Sequence, residues 1–216
     1  MRPISLLFFL SYLLVSCTSK ESAPDAASTT SSTDTRKLDS FRIQTAESLI
    51  YWMGSSPSGS HNGTISPAQG MLYAANRQLK AGRLDIDMHS IRNLDLDDEA
   101  DRNDLENELK GGDFFAADSF PTAYYKITGV HWVNDSTYNA MIDGFLTIRD
   151  VMTPLKVKAH VVATDAMIEV VVPEFTIDRS AYNILHRSKK IIPELKNQWI
   201  DDEIRLSLRL VATKSN

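Results

Sequence analysis

The chain of 216 residues holds one cysteine, Cys17, so an internal disulfide is impossible and a disulfide scaffold is excluded. Its five histidines are His61, His89, His131, His160 and His186. No two of them stand at metal-ligand spacing, and there is no H-E-x-x-H motif or Cys/His cluster. A phosphate-cradling P-loop, a dinucleotide glycine pattern and a G-x-S-x-G nucleophile elbow are equally missing. Basic residues are outnumbered, 23 Lys and Arg against 28 Asp and Glu, for a formal charge of −5. Such a chain lacks the footprint of a nucleic-acid binder and any polybasic patch for anionic headgroups. No apolar run reaches the ~20 residues that a membrane-spanning helix needs. No cofactor is implied.

What is present begins at the N-terminus. Arg2 precedes an apolar stretch from Ile4 to Val15, and Ser16, a small residue, stands before Cys17. A positive start, a short apolar core and a small residue before a cut site mark a secretory signal peptide. Leu14-Val15-Ser16-Cys17 resembles the lipobox of bacterial lipoproteins, which implies cleavage after residue 16 and lipid on Cys17. That the lone cysteine stands there strengthens the reading. The modification adds two or three acyl chains, and two suffice for stable anchoring. The expected location is the cell envelope, with the domain in the periplasm or at the cell surface. Residues 17–37 combine the lipidated cysteine with a tract that has ten Ser or Thr in its last twenty positions and no large apolar residue. That composition cannot offset its ordering entropy, so a flexible tether is expected there. Loss of residues 1–16, with Arg2 their only charge, leaves 200 residues at −6, enough for one domain over 38–216.

From Leu38 onward apolar residues recur with period two. Leu84 to His89 alternates; so do Leu155, Val157, Ala159, Val161 and Ala163, the series Ile204 to Ala212, and the series Tyr138 to Ile148. Each pattern gives one apolar and one wetter strand face. Alternation from Tyr125 to Trp132 changes phase at Gly129, which predicts a bulge. Arg149 to Pro154 is expected to join two strands as a hairpin connection. One helix is expected after a cap at Asp97 or Asp98, with Leu105 and Leu109 on one face and Gly111-Gly112 at its end. A second helical piece is expected from Ser180 to Arg187. Many amphipathic strands with one or two short helices imply an antiparallel sheet, closed into a barrel or folded into a sandwich.

Candidate sites are few. His89 and His160 fall on polar strand faces and read as solvated. Asp95, Asp97, Glu99 and Glu106 fit positions 1, 3, 5 and 12 of a calcium loop, but Ala100 stands where the sharp turn demands Gly. Acids at a helix start also suit its dipole with no metal, so no metal site is expected. Asp178-Arg179 offers either a guanidinium fork for an anion or a local ion pair fixing a turn. Phe114, Phe115, Tyr125, Trp132, Phe145 and Phe175 either line an apolar pocket or form plain core. No catalytic set converges, and a non-enzyme is expected.

Several fragments recur in a fixed order. They are His61-Asn62-Gly63-Thr64-Ile65, Gly82 to Ile91, Leu109-Lys110-Gly111-Gly112-Asp113-Phe114-Phe115, Phe120 to Ile127, Gly144-Phe145-Leu146-Thr147-Ile148 with Thr153-Pro154, and Phe175-Thr176-Ile177-Asp178-Arg179. In this order the region from about Leu38 to Thr213 resembles the YceI-like family of polyisoprenoid-binding proteins. Asn183 to Trp199, rich in Lys and Ile, matches none of the motifs. The resemblance implies a lipocalin-like antiparallel β-barrel whose elongated apolar cavity holds a long isoprenoid or similar amphiphile. Exposed prenyl surface costs ~25 cal/mol per Å², and a dry barrel removes it from water without catalytic groups. The expected wall is Phe114, Phe115, Tyr125, Ile127, Trp132, Ala140, Ile142, Phe145, Phe175 and Arg179. Two alternatives stay open: a structural or stress-related envelope barrel with a filled interior, since periodicity cannot tell hollow from filled, and an enzyme acting on envelope lipid. A monomer and a homodimer are both compatible with the sequence.

The anchor is testable directly. Metabolic labelling with a fatty-acid analogue is expected to mark the wild-type chain but not Cys17→Ser, which should also cease to sediment with membranes. A wild-type chain that takes up no label would rule the anchor out.

Overall fold

A computed structural model describes residues 38–192, 194 and 196–215. The expected signal peptide, Cys17 and the expected tether lie outside the described residues. Eleven strands and one α-helix occur among the described residues. The strands before the helix are β1 (Asp39–Ile43), β2 (Leu49–Ser56), β3 (Gly59–Ile65), β4 (Pro67–Ala75), β5 (Gln78–Asp87) and the short β6 (Arg92–Asn93). After helix α1 (Glu99–Lys110) come β7 (Thr122–Trp132), β8 (Ala140–Ile148), β9 (Val151–Ala163), β10 (Met167–Asp178) and β11 (Glu203–Lys214).

The order β1-β4-β5-β7-β8-β9-β10-β11 closes on itself, because β11 also pairs with β1. β2 and β3 prolong β1 and β4 beyond short breaks, so the ring is an eight-stranded antiparallel barrel. At the break between β1 and β2 the ladder would lose its bonds. Buried Ser48 restores them: its hydroxyl accepts from the Val211 N–H at 3.0 Å.

Alternation sets the inside. On β9, Val157, Ala159 and Val161 are buried while Lys156, Lys158 and His160 are exposed. The phase change in β7 is a bulge between Ile127 and Gly129. Two expectations about connections are corrected. The β8–β9 link is only Arg149-Asp150, both at positive φ (50° and 61°), as a tight hairpin turn requires. Val151 to Pro154 therefore belong to β9. In place of a second helical piece stands one 3-10 turn, Arg179–Tyr182, stopped by Asn183 in the left-handed region at φ 58°.

Asp98 caps α1, accepting from the N–H groups of Ala100 and Asp101. The buried residue of the helix is Glu106, not Leu105 or Leu109, which are half-buried. Glu106 accepts from the Asn93 N–H at 2.9 Å, from Arg92 at 3.2 Å and from Lys110 at 3.2 Å, and so ties α1 to β6 at the barrel rim. Asp95 likewise accepts from the Asn62 N–H and the Asn93 amide, with His61 Nδ1 at 2.8 Å. Asp95, Asp98 and Glu106 are thus engaged in capping and clamping. Among the described residues no helix is long and apolar enough to cross a membrane.

The Glu106 clamp makes stability pH-dependent. Burial alone would raise its pKa, but the Asn93 N–H and the Lys110 and Arg92 charges outweigh burial and hold the carboxyl below the usual range. A depressed folded-state pKa gives stabilisation that is complete above the unfolded value of ~4.3 and is lost as pH falls through the folded one. Glu106→Gln is expected to lose roughly 1–3 kcal/mol at neutral pH. It should weaken less than wild type on acidification, as urea midpoints between neutral pH and about pH 3 would show.

Candidate ligand cavity

The inward side chains of the barrel do not all meet. Around its middle Leu72, Leu84, Tyr125, Ile127, Ile142, Leu155, Val157, Val170, Val172, Phe175, Leu208 and Leu210 surround a void of ≈ 80 Å³. A second void of ≈ 140 Å³ lies toward α1, bordered by Trp52, Met88, Ile91, Leu109, Phe114, Phe115, Ile148, Ile177, Arg179 and Ile204. Ile50, Ile86, Leu146 and Leu206 border both voids, so the two adjoin as neighbouring lobes of the apolar interior. Each lobe is smaller than the ~300 Å³ at which pockets for compact drug-sized ligands begin.

The end away from α1 is solid. Leu79, Ala140, Ala159, Ile168 and Ala212 are fully buried there, and Leu72 nearly so. In the middle, Gly144 admits Tyr125: any side chain at residue 144 would strike its ring. The Tyr125 hydroxyl donates to the carbonyls of Leu155 at 3.0 Å and Ile142 at 3.3 Å. Burial, with Asp143 adding to it, pushes this phenol well above its ordinary pKa, so the group stays a neutral donor.

At the α1 end the segment after β10 folds across the barrel and is held by Arg179, which is 1% exposed. Its guanidinium donates to the carbonyls of Asp201 (3.0 Å), Ile184 (2.9 Å) and Ile200 (3.0 Å). Buried Asp202 supplies the counter-charge at 3.3 Å and accepts from the Ser188 hydroxyl at 2.9 Å. Burial lowers the Arg179 pKa and Asp202 opposes that shift, but an arginine stays charged in any protein. Asp178 is not its partner. Asp178 accepts from the Ser180 N–H and hydroxyl and pairs with Lys190 at 2.6 Å. The anticipated local Asp178–Arg179 pair is therefore corrected to a long-range clamp, and three of the guanidinium's bonds are already taken by main chain.

The structure brings Phe114, Phe115, Tyr125, Ile127, Ile142, Phe175 and Arg179 to the cavity. It places three expected wall residues elsewhere. Ala140 and its β7 partner Trp132 lie in the filled end. Phe145 points outward and is 38% exposed, because it alternates with inward Gly144 and Leu146. Sequence reasoning missed Ile50, Ile86, Leu146 and Leu206, which join the lobes. Ile86, Leu146 and Leu206 sit on the apolar faces already recognised from period two. The pairs His61–Asp95 and His131–Asp143, at 2.8 Å each, involve no residue that lines the cavity. Among the described residues no group of three or more His, Asp or Glu could hold a metal ion.

An eight-stranded antiparallel barrel, packed solid at one end and hollow and apolar toward the other, is a lipocalin-like barrel. The model of the YceI-like domain matches residues 41–212, and the chain belongs to the YceI-like family. Among solved structures it is similar to BcnA of Burkholderia cenocepacia, at 18% identity over 78% of this chain and 98% of that one, with a TM-score of 0.59. It is also similar to a polyisoprenoid binding domain from Saccharophagus degradans implicated in plant cell wall breakdown. There identity is 12% over 83% of this chain and all of that one, with a TM-score of 0.57. No curated protein matches the sequence.

The clamp at the α1 end predicts a large, local effect. Arg179→Met should cost roughly 3–5 kcal/mol, since it leaves Asp202 buried without its counter-charge. Arg179→Lys should recover only part of that loss, because an ammonium cannot reproduce the planar fork. Denaturant midpoints of the two variants provide the check.

Proposed function

We propose that this protein binds and carries a long-chain isoprenoid or similar amphiphilic lipid, without catalysis, in the two-lobed barrel cavity. The observation that carries the reading is the pair of adjoining apolar voids bordered jointly by Ile50, Ile86, Leu146 and Leu206. Its lining offers no convergent polar groups for chemistry, and burying an apolar chain there gains ~25 cal/mol per Å². Membership of the YceI-like family and the polyisoprenoid binding of one structural neighbour support the same ligand class. The lipobox at Leu14 to Cys17 supports the second half of the proposal: a lipoprotein of the cell envelope, working beside the membrane that supplies its ligand. A barrel whose interior is simply core is the competing reading, favoured by the modest size of the lobes.

Two substitutions separate these readings. Ile86→Trp obstructs the joint between the lobes, so binding of a fluorescent prenyl analogue should fall at least tenfold. Ala140→Phe enlarges a side chain in the solid end and should cost ~1–3 kcal/mol of stability by overpacking, with prenyl affinity little changed. If Ile86→Trp binds as wild type does, or if delipidated wild type binds no analogue, the carrier reading fails.

A further inference from the structure

The barrel wall is incomplete at one place. β8 and β9 share nine paired positions and β10 and β11 share ten, but β9 and β10 share only four, from Ile168↔Ala163 to Val171↔His160. Above that last pair, residues 154–159 of β9 and 172–177 of β10 form no ladder with each other, although both remain laddered on their other sides.

The cause lies in two prolines. The tight turn at Arg149-Asp150 makes Ile148↔Val151 a hydrogen-bonded pair, so the odd residues of β9 bond to β8 and the even ones face β10. The Asn139 side chain agrees, taking up both the N–H and the carbonyl of Val161 on the β8 side. Pro154 therefore withholds its donor on the β10 side. Val171 faces β9 through its pair with His160, and two residues on Pro173 would do the same but has no N–H. A bulge between Val172 and Phe175 then carries β10 away from the register. Neither strand can zip further.

The unzipped stretch lies over the cavity. Leu155 and Val157 on one bank, and Val172 and Phe175 on the other, all line the inner lobe, and Leu155 and Phe175 are only half-buried. The stretch is bounded below by the His160↔Val171 pair and above by a hydrogen bond between Thr153 and the buried Tyr182 hydroxyl. The α1 end, the other way in, is tied down by the Arg179 clamp. We infer that the seam between β9 and β10 is a lateral port through which an apolar chain slides into the cavity sideways, between Leu155 and Phe175. The inference rests on the carrier reading. It accounts for entry away from the clamped end: β9 and β10 form no ladder over this stretch, whereas opening the α1 end breaks a buried ion pair.

The test closes the seam reversibly. Lys158 and Pro173 are both exposed and would face one another if the register continued. In the full chain, Lys158→Cys with Pro173→Cys is joined by a short bifunctional thiol reagent that contains a reducible bond. Uptake of a fluorescent prenyl analogue from phosphatidylcholine vesicles is then followed in time. The staple should slow uptake at least tenfold, leave the amount bound at equilibrium unchanged, and release its effect on reduction. Pro154→Val with Pro173→Val, which restores both donors, should slow uptake in the same direction without any reagent. Uptake by the stapled protein as fast as by the reduced one overturns the port and places the way in at the α1 end. No uptake by the unstapled wild type overturns the carrier reading instead.

Discussion

The closure of the sheet through β11 is the constraint on which the rest depends. This strand takes β10 along one edge and both β1 and β2 along the other. Once the ring is shut, each inward residue has a fixed neighbour on every side. A ring of eight strands is just wide enough for its side chains to fill or to leave room for one small ligand. Here both occur at different heights. Small Ala140, Ala159 and Ala212 pack with Leu79 and Ile168 into a solid plug. Higher up, the side chains of Ile50, Ile86, Leu146 and Leu206 border two adjoining voids.

Covering the α1 end raises a different problem, because the carbonyls of Ile184, Ile200 and Asp201 turn inward there. Backbone groups buried without partners are costly, and Arg179 meets that demand for three of them at once. The charge that makes it a good donor would itself be expensive to bury alone, which explains why Asp202 is buried beside it. Tyr182 and Thr153 complete the closure next to the seam.

Much of this was legible in the sequence. The apolar faces of β8, β9 and β11, the bulge in β7 and the Asp98 cap each follow from local rules that operate over a few residues. The ordered fragments from His61 to Arg179 pointed to the family. Phe145 was misplaced only because its aromatic character was weighed above its parity: the same alternation that put Gly144 and Leu146 inside put it outside. The role of Arg179 was not legible. Its partners, Ile184, Ile200, Asp201 and Asp202, stand up to 23 positions away, and nothing in the local spacing distinguishes them from the adjacent Asp178.

Legible from the sequence were the principal strands, their two faces and the helix capped by Asp98, because backbone geometry and side-chain period act within each segment. Only the tertiary structure decided which apolar faces enclose space and which merely pack, since a void is what remains after all eight strands have contributed their volumes. It also decided that Pro154 and Pro173 withhold their donors from the same gap. Nineteen positions apart in the chain, they border the same gap only because the ring brings β9 and β10 side by side.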